Sequence, residues 1–242
     1  MKKVVFLIIF LLCKTAWCQD SELRVLTEDY PPYGYENNGE VVGFVTEIVE
    51  VIFQITEIDK PVIEIHPWKR AYQTALSTPN VLIYMMTRTK QREHMFRWVG
   101  PVAERTNWIW KLRERADISI SSLDDAKKYT LVSTLDTAIA RYLTKNGFNM
   151  HFARKTDLVF TRFLRGREDL VASPKVPMFY FLKSVGKSTD LVEPIFPIPS
   201  DGDYYLAFSL RTPESTVKRF KNALRLIKSD GRYNQIADQY IH

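Results

Sequence analysis

The chain has 242 residues, 45% of them apolar and 26% charged, with 34 Lys and Arg against 28 Asp and Glu for a formal net charge of +6. With 9 Gly and 12 Pro it has an ordinary globular composition, which excludes disordered, collagen-like and low-complexity classes. Beyond the N-terminus no apolar run approaches the ~18–20 residues of a membrane span, and the length suits one large domain or two lobes of roughly 100 residues, each able to bury a core.

Met1-Lys2-Lys3, the apolar run Val4 to Cys13 and the stretch ending Ala16-Trp17-Cys18 read as a secretory signal peptide over residues 1–18. An uncleaved anchor is disfavoured because the run is too short to span. Lipid attachment at Cys18 is disfavoured by the bulky Trp17 before it. Cleavage removes Lys2, Lys3 and Lys14 and no acid, lowering the net charge by three, which does not argue for nucleic acid. Cys13 and Cys18 are the only cysteines. The exported chain therefore carries no disulfide, thiol nucleophile or zinc cluster, which suits a bacterial periplasm.

In chain order, Leu23 to Thr27 has a strand pattern and runs into the rigid aromatic loop Tyr30-Pro31-Pro32-Tyr33. Asn38-Gly39 predicts a hairpin turn. Val45, Ile48, Val49, Ile52 and Phe53 follow the helical period. A strand over 62–66 precedes a helix over 68–76. Val81 to Met86 is an unbroken apolar run, as expected of a buried parallel strand. A short helix is expected from Lys90 and a strand over 107–112. The alternation then restarts: a strand over 130–133, a helix over 138–145 capped by Asp136-Thr137 and stopped near Gly147, a helix over 158–164 and a strand over 169–172. Tyr204 to Leu210 alternates as a strand, Thr212-Pro213 opens a long helix to about Ser229, and 232–240 forms a last helix. The double alternation predicts α/β structure with mostly parallel sheets in two lobes. The segments 107–112 and 204–210 are the expected crossovers.

Catalytic motifs are absent: there is no GxGxxG, P-loop, HExxH or GxSxG, and His66, His94, His151 and His242 lack metal-ligand spacing. Neither a metal nor another cofactor is expected. Binding equipment is present instead. Thr87-Arg88-Thr89 follows the buried strand and offers hydroxyls and free N–H groups at one place. Arg92 lies three residues further on, and its guanidinium matches a carboxylate in two-pronged fashion. Such a segment also reads as a capped helix with a solvated Arg. Tyr30 sits at the C-terminal end of the first strand, where α/β sheets bind ligands. Trp68 and Arg70 follow the second strand and are candidates for the same crevice, with Trp68 equally readable as core.

These segments, together with TEDYPPYGYENNGEVVGFVTEIVEVIF (27–53), PWKRA (67–71), TRTKQREHMFRWVGP (87–101), LRGREDLVAS (164–173) and KSDGRYNQIADQYI (228–241), resemble the periplasmic solute-binding proteins of the polar amino-acid type, solute-binding protein family 3. The resemblance covers essentially the whole exported chain. It implies a bilobal, type II periplasmic-binding-protein-like fold: lobe 1 over 22–110, lobe 2 over 111–204, and a return to lobe 1 over 205–242. It further implies that Arg92 grips a ligand carboxylate with Thr87 and Thr89 nearby, that Tyr30, or as the second choice Tyr33, packs on the ligand, and that Thr137 completes the carboxylate site from lobe 2.

Three departures stand out. Asp136 occupies a position where the family often has Gly. No acid falls within Leu170 to Pro174, where amino-acid receptors commonly carry an Asp for the ammonium group. Ser77 to Asn80 replaces the usual G-x-x-D. The resemblance implies a monomeric, non-enzymatic receptor that closes on a small polar solute and docks on an ABC permease. Two alternatives stay open: an enzyme on the same scaffold, similar to dehydratases of prephenate-like acids, with Glu28, Asp29 and Asp136 as the acids at hand, and a sensory binding protein.

Overall fold

The computed structural model describes residues 22–200 and 202–240. The expected signal segment and the cleavage after Cys18 lie outside these residues. The first half of the chain runs β1 (Arg24–Thr27), the hairpin β2 (Tyr35–Asn37) and β3 (Glu40–Val42), α1 (Phe44–Thr56), β4 (Ile63–Ile65), α2 (Trp68–Ser77), β5 (Val81–Thr87) and β6 (Phe96–Ala103). The second runs β7 (Asn107–Leu112), β8 (Leu131–Thr134), α3 (Ala138–Lys145), β9 (Met150–Ala153), α4 (Thr156–Leu164), β10 (Leu170–Pro174), α5 (Lys175–Ser184) and β11 (Val192–Ile198). The chain then returns through β12 (Tyr204–Ser209), α6 (Glu214–Ser229) and α7 (Arg232–Tyr240).

Ten of the strands form two five-stranded sheets, in the orders β4-β1-β5-β12-β6 and β11-β7-β10-β8-β9, and β2 and β3 pair with each other alone. Each sheet defines a lobe, and the architecture is the expected bilobal α/β one. The sheets are mixed, which corrects the expectation of mostly parallel pairing. β4, β1 and β5 are parallel, but β12 is antiparallel to both β5 and β6. β10, β8 and β9 are parallel, but β7 is antiparallel to both β10 and β11. The antiparallel strands flank the two passages between lobes, where the chain enters a sheet without an intervening helix. Strands 107–112 and 204–209 lie wholly within one sheet each, so the chain passes between the sheets at 104–106 and again after Ile198 and before Tyr204, and residue 110 falls inside a strand of the second sheet.

Each sheet is covered on both faces, as parallel strands require. In lobe 1, Ile48, Ile52 and Phe53 of α1 pack with Phe220 and Ile227 of α6 on one face, while Ala71 and Ala75 of α2 cover Leu26 and Ile83 on the other. In lobe 2, Ile139 and Leu143 of α3 cover one face, and Phe160, Phe163 and Met178 of α4 and α5 the other. Val81 to Thr87 is buried at every residue. Among the described residues no helix is long and apolar enough to cross a membrane.

The helix expected from Lys90 is replaced by turns and a single 3₁₀ turn, Glu93–Met95. The indole N–H of Trp98 takes the Glu93 carbonyl at 3.0 Å, removing an acceptor that a longer helix would use.

Candidate functional site between the lobes

The C-terminal ends of β1, β4 and β5 face the second lobe, and the residues just beyond them build a cleft. β1 leads into the aromatic loop, whose carbonyls cap α1: Phe44 N–H donates to Pro32 O and Val45 N–H to Tyr33 O, both at 2.8 Å. Gly43 makes that fit possible. Its φ is +124°, and a Cβ there would lie 2.7 Å from Pro32 O. The loop therefore holds Tyr30 in a cluster with Tyr33 and Tyr204, ring centroids 5.5 and 6.3 Å away, with a 3.4 Å hydroxyl contact from Tyr30 to Tyr204. Burial, then the neighbouring Tyr204, push the Tyr30 phenol well above its ordinary range.

Arg92 is the centre of the cleft. Its guanidinium lies 5.3 Å from the Trp68 ring centroid and 5.1 Å from that of Tyr72, and Nη1 donates to the Thr87 carbonyl at 3.1 Å. Stacking of this kind fixes a charged side chain before any ligand arrives. Burial lowers the Arg92 pKa, Tyr72 opposes that, and the positive charge of Arg141 adds to it. Beside it at the end of β1, the Glu28 carboxyl is pushed up to about 7, first by burial and then by Asp29, with Arg92 pulling the other way. Asp29 is also raised, by burial against the pull of Lys155.

The second lobe contributes the turn before α3. Asp136 has φ +61°, the left-handed conformation in which glycine is the usual residue, so its side chain is presented at a position the resemblance leaves bare. Arg141, one turn into α3, donates from Nη1 to the Asp136 carbonyl at 2.6 Å. The cavity between the lobes holds about 430 Å³. Trp68, Lys69, Tyr72, Arg92, Asp136 and Arg141 are among the residues that line it.

Of the residues singled out from sequence, Trp68 and Arg92 line this cavity, and Thr87 takes part through its carbonyl. Thr89 closes the turn before Arg92, its carbonyl accepting Arg92 N–H at 3.0 Å. Thr137 caps α3: its Oγ1 accepts from Ala140 N–H at 3.2 Å and donates to Thr134 O at 2.9 Å. Tyr30 stands in the neighbouring aromatic cluster and does not line the cavity. Arg70 is exposed on α2 and does not line it either: two residues on from Trp68, it points to another side of the helix. Arg88 pairs with Glu93 at 2.8 and 2.5 Å on the outer side of lobe 1. Tyr72 and Arg141 were not foreseen. The available signal was helical spacing: Tyr72 lies four residues after Trp68, and Arg141 four after Thr137.

Two contacts cross between the lobes away from the cavity. Tyr180 of α5 donates its hydroxyl to that of Tyr35 in β2 at 3.0 Å, and Val176 of α5 packs against the core of lobe 1.

The profile of the bacterial extracellular solute-binding proteins, family 3, matches residues 23–242. No curated protein matches the chain in sequence. Among solved structures, an ancestral arginine-binding protein bound to arginine superposes with a TM-score of 0.76 at 21% identity, covering 91% of this chain and 98% of that one. A histidine kinase sensor domain with similarity to periplasmic binding proteins gives a TM-score of 0.78 at 16% identity, with coverage of 92% and 97%. The ancestral amino acid-binding protein AncCDT-1, a precursor of cyclohexadienyl dehydratase, gives 0.76 at 18% identity, with coverage of 91% and 95%.

Proposed function

The chain belongs to the bacterial extracellular solute-binding proteins, family 3, and from that premise we propose that it is a periplasmic receptor that captures a small carboxylate-bearing solute, an amino acid or a relative, between its lobes. The observation that carries this reading is Arg92, a guanidinium held against the paired rings of Trp68 and Tyr72 and facing a cavity completed by the other lobe. A half-buried arginine clamp selects for carboxylates because a ligand without one leaves the charge poorly solvated and unpaired once the cleft closes. Closure of the lobes over the solute completes capture, and the closed form is what an ABC permease in the inner membrane receives. The receptor acts as an exported monomer, freed of residues 1–18, with no cofactor and no catalysis of its own.

The test is a thermal-shift screen of the exported chain against amino acids, small organic acids, polyamines and sugars. A carboxylate at 100 times its Kd adds roughly 2.7 kcal/mol of stability. Arg92→Ala abolishes that shift while moving the melting temperature of the free protein by less than about 3 °C. Wild-type affinity in this variant overturns the clamp.

Glu28 favours keeping one second reading in view. A carboxyl near pH 7 beside an arginine is suited to general-acid work. Incubation with prephenate, followed in the ultraviolet, distinguishes the two: an unchanged spectrum keeps the receptor reading, and loss of the prephenate replaces it.

A further inference from the structure

The cavity between the lobes has an uneven charge balance. Lys69, Arg92 and Arg141 line it, against one lining carboxylate, Asp136. Arg92 belongs to lobe 1 and Arg141 to lobe 2, so the two guanidiniums approach across the gap that closes. Each carries five donors. The bonds to backbone are one from Arg92 to Thr87 O and one from Arg141 to Asp136 O. Neither forms an ion pair with a carboxylate among the described residues, and the carboxyl that feels the charge of Arg92, Glu28, lies outside the cavity lining; Arg88, by contrast, is neutralised by Glu93 and Arg162 in lobe 2 by Glu168. Two like charges facing one another across a hinge oppose closure until anionic groups lie between them. The end of β10 reinforces the imbalance. Ser173, near the place where amino-acid receptors commonly carry an acid, is buried and turns its hydroxyl to Pro174 O at 2.9 Å. Asp169, the acid in that segment, is tied to Arg115 and Thr130.

We propose that the solute is a small diacid, with one acidic group on Arg92 of lobe 1 and the second on Arg141 of lobe 2. This rests on the reading of the cleft as the solute site and narrows it. Arg141 then acts as the specificity residue, since a solute with one carboxylate satisfies Arg92 and leaves Arg141 without a counter-charge. Asp136, beside Arg141, leaves room for an ammonium group on the same molecule, so both acidic amino acids and plain dicarboxylates fall within the class.

Calorimetric titration of the exported chain with L-glutamate, succinate, L-glutamine and L-alanine tests this. The two diacids bind at least tenfold more tightly than the two monoacids. Arg141→Ala weakens the diacids at least tenfold and the monoacids less than threefold. Because Arg141 is exposed on α3, circular dichroism of the variant matches wild type. Arg141→Gln serves as a second variant without the charge. Equal affinity for L-glutamate and L-glutamine, with equal effects of Arg141→Ala on both, overturns the diacid assignment and leaves the cleft reading standing. No binding of any of the four overturns both. Tighter L-glutamate than succinate, lost in Asp136→Asn, assigns the ammonium contact to Asp136. Equal binding of the two confines recognition to the acidic groups.

Discussion

Arg92 owes its place to four residues that come from α2, β5 and the turn after it. Trp68 and Tyr72 share one face of α2, Thr87 ends β5, and the turn through Thr89 brings the guanidinium back against the paired rings. Beside it, Glu28 sets a pH dependence. Its carboxyl is raised to about 7 in the folded chain from an ordinary value of 4.5, so the folded state holds the proton more strongly than the unfolded one. The sign follows: stability from this group is complete below about pH 4.5 and is lost as pH rises towards 7. Glu28→Gln therefore melts close to wild type at pH 4 and a few °C higher at pH 8, by differential scanning calorimetry. A constant offset between the two proteins at all pH values refutes this. Carboxylate affinity falls as pH rises through about 7, where Glu28 ionises in the folded chain and competes for Arg92. At this scale the sequence made Arg92 and Trp68 readable, since a guanidinium after a strand end and an aromatic at a helix start both have local signatures. Arg70 was misplaced because two residues along a helix carry a side chain to a different face. Asp136 was legible as an anomaly, and its φ of +61° gives the reason a glycine is usual there.

At the scale of elements, regular periodicity was enough wherever burial was one-sided. The helices α1, α3 and α6 follow their apolar spacing to within two residues. What escaped were β6, β9, α5 and β11. β11 carries Pro194 and Pro197, tolerated because it lies at the edge of its sheet. α5 has Pro177 in its first turn, where the missing N–H costs nothing. Proline thus masked both, since its reading depends on edge and end positions that only the assembled sheet defines. The junction of the aromatic loop with α1 is the element most exposed to a single change. Gly43→Ala forces a methyl against the Pro32 and Tyr33 carbonyls. It destabilises by about 1–3 kcal/mol, read from chemical denaturation, and loosens the loop that carries Tyr30. An unchanged midpoint shows that the loop caps α1 less tightly than its hydrogen bonds indicate.

The molecule as a whole is two sheets joined by links of a few residues, with one contact between phenols spanning them. Lobe order was visible in the restart of the strand and helix alternation. The passages were not, because a strand that leaves one sheet reads the same as one that enters another. Under the proposed lobe closure, the Tyr35–Tyr180 hydrogen bond is worth about 1 kcal/mol, or roughly a fivefold change in the ratio of closed to open molecules. Tyr180→Phe weakens every solute by about that same factor and leaves their ranking unchanged, measured by titration with several solutes. A changed ranking shows instead that the pair shapes the cavity.

That pair lies outside the cavity, so it separates two properties that a receptor usually adjusts together. Side chains facing the solute decide which molecule is admitted. Under the proposed lobe closure, two hydroxyls remote from it shift the external concentration at which the receptor is half full. A lineage meeting scarcer or richer surroundings can therefore reset its threshold by trading a tyrosine for a phenylalanine, without relearning what it recognises.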